Sequence, residues 1–244
     1  MFRGLGTVIN IAAICAGGLI GILTGGRLSE RTKSLITDVL GCITFLAAAD
    51  AVSSLWDKSF SSALPRGWTL LSTLFTLILG AVVGSLLRIQ DRLEDFGGFL
   101  KSKFGGGNER SFISGFMAAT LLFAIGPLAI LGSISDGMGN GITQLALKST
   151  LDFFASIAFA STFGFGVVAS IIPVAIYQGL WTLIGLFLGN ILSVYQIDAM
   201  NVVGGVLLFG ISLRLLGLKE MRVGDLLPAI FLAPLVVLVA HQFV

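Results

Sequence analysis

The chain has 244 residues, of which 55% are hydrophobic and 11% charged, and its mean hydropathy is +0.99. Soluble domains carry about 25% charged residues, so this composition excludes them and points to a polytopic all-α protein embedded in the lipid bilayer. A net charge of +2 gives nucleic acid no field to bind, and Cys15 and Cys42, both inside apolar runs, argue against a disulfide framework or a metal cluster.

Apolar stretches of roughly 17 to 25 residues are long enough to cross a hydrocarbon core about 30 Å thick. About eight are predicted in chain order, at residues 7–25, 34–54, 67–87, 112–133, 148–170, 173–192, 199–217 and 225–243. They are read as a single transmembrane domain, 1–244, made of a first repeat over about 7–87, a central pair over about 112–170 and a second repeat over about 173–243. The start, "MFRGLGTVINIAAICAGG", has the single Arg and apolar run of a signal peptide, but the repeat described below predicts that it is retained. "RIQDRLEDFGGFLKSKF" places Ile89, Leu93, Phe96, Leu100 and Phe104 on one helical face, as in a helix lying along a membrane surface; a solvated linker is the alternative. Pro173 is the expected divider between the fifth and sixth segments.

Cations sort the loops. Arg27, Arg31 and Lys33 follow the first segment, Arg88, Arg92, Lys101, Lys103 and Arg110 follow the third, and Arg214, Lys219 and Arg222 attend the end of the seventh. If every segment spans, all three loops share one side. The positive-inside rule makes that side cytoplasmic and places both termini outside. The same parity holds if segments four and five are both re-entrant.

A GxxxGxxL pattern recurs at Gly21, Gly25 and Leu28, at Gly80, Gly84 and Leu87, and at Gly185, Gly189 and Leu192. "LIGILTGGRLS" also aligns without gaps on "LIGLFLGNILS", and the same offset of 164 carries Val39 onto Val203, Gly41 onto Gly205 and Phe45 onto Phe209. These copies lie five crossings apart, an odd number, so the expected duplication is inverted. That is a common build of secondary transporters. The glycines themselves read as seams where helices approach closely, within the chain or in a homo-oligomer.

"ATLLFAIGPLAILGS" interrupts the fourth segment with Gly126 and Pro127, and "ASTFGFGVVAS" interrupts the fifth with Gly164 and Gly166. Proline has no amide hydrogen and glycine costs backbone entropy, so both segments are predicted to be broken or re-entrant. Freed backbone in a bilayer is tolerated only inside protein or beside a watery cavity. Two neighbouring breaks predict a shared site near mid-depth. There Thr120, Ser161 and Thr162 would contact a solute, while Lys148 and Asp152, four residues apart on one helix face, supply charge. Kinks with hydroxyls bonded back to their own helices, and Lys148 reaching to the interface, are the structural alternatives. Asp38, Asp50, Asn10, Tyr177, Gln178 and Asn201 are weaker candidates, and His241, near the C-terminus, reads as incidental.

The blocks "GTVIN", "GFMAATLLFAIGPLAILGSISDG", "LALKSTLD", "ASTFGFGV", "YQG" and "VGDLLPAI" give the chain, over nearly its whole length, a resemblance to a prokaryotic membrane-protein family known as domain of unknown function 554, or YqgA/YdfK-like. Cysteine and methionine are common in that family where this chain has Ala124 and Leu128, which argues against thiol or thioether chemistry there. The resemblance implies a membrane protein and carries no activity with it.

The expected function is a secondary transporter or channel for a small solute or ion, working without a cofactor. The rival is a structural or accessory protein that packs with a partner or with itself. An enzyme is not expected, because no nucleophile and base pair and no metal-ligand spacing is present.

Overall fold

Lipid offers backbone amides no partner, so apolar runs of this length close their hydrogen bonds internally, and helix is the only regular structure among the described residues. The computed structural model describes residues 2–104, 109–125, 127–189 and 191–243. In order, the helices are α1 (Leu5–Gly25), α2 (Glu30–Ser53), α3 (Lys58–Ser62), α4 (Trp68–Leu87), α5 (Ile89–Phe104), α6 (Glu109–Ala124), α7 (Pro127–Met138), α8 (Thr143–Phe163), α9 (Phe165–Ala169), α10 (Ile171–Leu188), α11 (Val194–Leu215) and α12 (Pro228–His241).

Among the described residues, six stretches are long and apolar enough to cross a membrane, and α6 with α7, bent by 59°, makes a seventh. Eight were expected. The difference is α8, which at 21 residues has the length, about 31 Å, but carries Lys148, Asp152 and a series of hydroxyls. Pro173 does not divide the fifth and sixth segments. It lies in the first turn of α10, where its missing N–H costs little, and the division falls at Gly164, whose φ of 71° and ψ of −144° close α8.

The chain divides into two compact units, one of Met1–Leu40, Glu94–Ala124 and Leu128–Ile191, the other of Gly41–Leu93, Ile125–Pro127 and Leu192–Val244.

In the first unit α1 packs most extensively on α8. Gly6 meets Leu145 at one end, Gly17 meets Phe153 and Ser156, and Gly25 meets Ser161 at the other, so the two helices run parallel over their whole lengths. The approach is close because α1 turns glycines to its neighbour: a Cβ on Gly21 would come 2.8 Å from that of Ala160. The α6–α7 pair runs the opposite way. Gly115 of α6 lies against Phe163 at the end of α8, and Gly132 of α7 lies against Leu145 at its start. The pair is therefore one bent pass, not a re-entrant hairpin. α10 is antiparallel to α1, since Thr7 bonds Thr182 and Gly18 meets Val168 in the segment before α10.

The start of α1 is finished from a distance. The N-cap residue Gly4 has no side chain to offer, and the orphan donors of the first turn go instead to the Asp136 carboxylate on α7. Oδ1 accepts from Gly4 N–H at 3.1 Å, and Oδ2 accepts from Gly6 at 2.8 Å and Thr7 at 3.4 Å. The expected amphipathic segment is α5. Its later turns bury Leu100 and set Phe96 against the Phe116 ring, centroids 6.0 Å apart, while Asp95 and Lys103 stay exposed.

In the second unit α11 is the central helix, with 83% of its most apolar window buried. Val202, Val203, Leu207, Leu208 and Ile211 fill its surroundings, and Ser193 and Gln196 close its start in a capping box. The second half of α2 lies antiparallel to it: Gly41 meets Leu216 and accepts from Ser212, Phe45 packs on Phe209 with ring centroids 5.6 Å apart, and Gly205 meets Ala48 and Val52. α4 and α12 also pair in opposite directions, with Trp68 on Phe243 and Gly80 on Ala229. Gly21, Gly25, Gly80, Gly84 and Gly185 thus all face residues of their own unit, whereas Gly189 meets nothing within 4 Å.

Candidate functional site

Polar side chains at membrane depth are costly, so a cluster of them is the first place to look for function. In the first unit they gather about the middle of α8. Lys148 and Asp152, each 6% exposed, form an i,i+4 pair with Nζ 2.5 Å from Oδ2. Asn10 of α1, fully buried, donates from Nδ2 to the same Oδ2 at 3.0 Å. The Lys148 ammonium also lies 5.9 Å from the centroid of the Phe123 ring on α6, where the ring face adds a favourable cation–π contact. A buried pair is tolerated when its remaining valences are filled, and Asn10 fills one of them.

The band continues onto α10. The Thr7 and Thr182 hydroxyls are 3.1 Å apart, Asn10 lies one turn beyond Thr7, and Gln178 lies one turn before Thr182. On antiparallel helices those two turns are level, so Gln178 faces the side of α1 that carries Asn10. Gln178 is fully buried with neither amide atom partnered, and Asn10 Oδ1, Thr120 Oγ1, Ser133 Oγ, Ser156 Oγ and Thr162 Oγ1 also find no protein partner. More than nine in ten buried polar groups are normally paired. So many exceptions in one unit are characteristic of a place built to meet something else.

The residues singled out in the sequence separate here. Lys148 and Asp152 are together at the centre, and Thr120 lies on α6 one turn before Phe123. Ser161 instead donates back to the Ala158 carbonyl at 2.7 Å, which is the purely structural arrangement. Thr162 and Gly164 lie at the far end of α8 and Gly166 lies on α9, against the backbone of Phe112. Phe112 and Gly115 belong to the start of α6, whereas Pro127 opens α7 after its end; Gly126 lies outside the described residues. Within the first unit the Gly164 break thus lies by the start of α6, about 14 Å along that helix from Ala124. Asp38 and Asp50 are exposed on α2, and His241 bonds the Ala63 carbonyl.

Asn10 and Gln178, ranked low in the sequence, belong to the centre, and Ser133 was not singled out at all. An amide in an apolar span was the available signal for the first two. A lone serine carries none.

These features define a polytopic helical membrane protein with a polar core in one of its two units. The chain belongs to the family described as "Protein of unknown function (DUF554)", whose model matches residues 5–238, in agreement with the resemblance noted above. It is 28% identical over 238 residues to "Uncharacterized membrane protein YdfK" of Bacillus subtilis (strain 168), covering 98% of this chain and 97% of the relative. It is also 28% identical over 233 residues to "Uncharacterized protein YqgA" of Escherichia coli (strain K12), covering 94% of each. No solved structure matches significantly.

Proposed function

We propose that this is a non-enzymatic transport protein, a secondary transporter or channel, that passes a small solute through the polar band of the first unit. The observation that carries the reading is the buried Lys148–Asp152 pair joined to Asn10, together with a Gln178 amide left unpartnered on α10 one turn before Thr182. A merely structural ion pair needs no such surplus of hydrogen-bonding capacity around it.

An inverted repeat, the usual build for alternating access, supports the same reading. α1 and α10, which carry the two aligned glycine patterns, run in opposite directions. In the second unit the contacts of α2 and α11 repeat at the sequence offset of 164: Gly41 meets positions 212 and 216, its counterpart Gly205 meets 48 and 52, and Phe45 meets its own counterpart, Phe209. That pattern is the one expected of a two-fold relation between the copies. By the positive-inside rule the loops with Arg27, Arg31 and Lys33 and with Lys219 and Arg222 face the cytoplasm, both termini lie outside, and the membrane is the prokaryotic inner one. The rival reading, an accessory protein packing through glycine seams, is weakened because those glycines pack within the chain.

The test is a thermal-stability screen of the purified protein against ions and metabolites, since a ligand that binds the folded form raises Tm. Transport predicts at least one saturable upward shift that Lys148→Met/Asp152→Leu abolishes. No shift with any compound, together with co-purification of a second protein, would favour the accessory reading.

A further inference from the structure

We infer that the polar band selects a small solute of zero net charge that both donates and accepts hydrogen bonds, and discriminates against simple ions. This rests on the transport reading and names the class of cargo. Among the described residues, the charged side chains buried in the first unit are Lys148, Asp152 and Asp136. Lys148 and Asp152 form an ion pair whose charges sum to zero. Both oxygens of Asp136 are engaged by the N–H groups of Gly4, Gly6 and Thr7, at the positive end of the α1 dipole. No uncompensated charge is left to offset the dehydration of an entering ion, which costs several kcal/mol even in a relaxed protein interior.

The free valences are of both kinds. Asn10 donates to Asp152 through Nδ2, which leaves Oδ1 as an acceptor. Gln178 offers both an NH2 donor group and a carbonyl acceptor in either orientation of its amide, because neither atom is partnered. Ser156 and Thr120 supply hydroxyls that can do either. A bare cation would leave the Gln178 N–H groups unpaired, and a halide would leave Asn10 Oδ1 and Gln178 Oε1 unpaired. Each buried group left unsatisfied costs about 1–3 kcal/mol. A small amide, a urea-like molecule, a polyol or a zwitterion satisfies both kinds at once.

Thiol labelling tests the charge selectivity without knowledge of the cargo. In the full chain carrying Cys15→Ala and Cys42→Ala, reconstituted in liposomes, Ser156→Cys and Gln178→Cys are made separately; the near-isosteric Ser156→Cys guards against loss of folding. Each is treated with neutral methyl methanethiosulfonate and with its trimethylammonium-ethyl and sulfonatoethyl counterparts, with rates normalised to Ser53→Cys at an exposed position. Only the thiolate reacts, so modification reports hydrated protein and not lipid. The expected result is modification by the neutral reagent at least about tenfold faster than by either charged one, the discrimination that as little as ~1.4 kcal/mol produces. A charged reagent within tenfold of the neutral one overturns the proposal and leaves the transport reading standing. Failure of all three reagents at both positions means a dry core and overturns both.

Discussion

α8 and α11 are long helices on which their units pack, 21 and 22 residues, and they fill their buried faces in opposite ways. α11 turns Val203, Leu207 and Ile211 and three glycines to its neighbours, and its polar residues lie toward its two ends, where Asp198 accepts from Ser59, Gln196 donates to the Pro234 carbonyl at 3.0 Å and Ser212 donates to the Gly41 carbonyl. α8 carries Lys148, Ser149, Asp152 and Ser156 through its first half. Since one buried helix of this chain packs without ionised groups at its centre, those of α8 are not a requirement of burial. They are the part of the core that folding alone does not account for.

Substitutions sharpen or break that contrast, and the largest effect belongs to Asp152→Ala. It strands a buried ammonium and is expected to cost about 3–5 kcal/mol, read as a fall in the melting temperature in detergent, whereas Lys148→Met/Asp152→Leu recovers wild-type stability or better. If the double variant is as unstable as the single one, the pair is architectural and α8 resembles α11 after all. Next is Gly205→Val in the second unit, which drives a side chain into Ala48 and Val52 and is expected to cost about 1–3 kcal/mol, with no change in any ligand response of the first unit. Asp136→Ala removes the acceptor for three N–H groups of α1 and should cost about 1–2 kcal/mol, with faster amide exchange confined to Gly4–Thr7. The smallest change is Gln178→Leu. Replacing an unpartnered amide by an apolar side chain of similar size should leave stability within about 1 kcal/mol of wild type, or raise it, while lowering ligand affinity at least about tenfold. A Gln178→Leu protein that binds as before would remove the amide from the site.

Much of this was legible in the sequence because lipid restricts the choice to helix. Hydropathy placed α1, α4 and α12 within a few residues, and the i,i+4 spacing of Lys148 and Asp152 disclosed a pair that the fold keeps. The glycine break after Phe163 was visible for the same reason, since Gly164 adopts a backbone geometry other residues avoid. What stayed hidden is which helix meets which. In a membrane protein the faces toward lipid and toward protein are both apolar, so periodicity does not point α1 at α8, and Asn10 stands 142 residues from Asp152. The same blindness hid that the Gly164 break packs on the start of α6, at Phe112 and Gly115.

The Asp136 bridge also has a consequence in time. α1 emerges from the ribosome with bare N–H groups in its first turn, and the carboxylate that covers them follows 130 residues after Gly6. At common synthesis rates that is a wait on the order of ten seconds. Over that interval those N–H groups have only water or headgroups to bond, and α1 becomes complete only when α7 arrives to meet it.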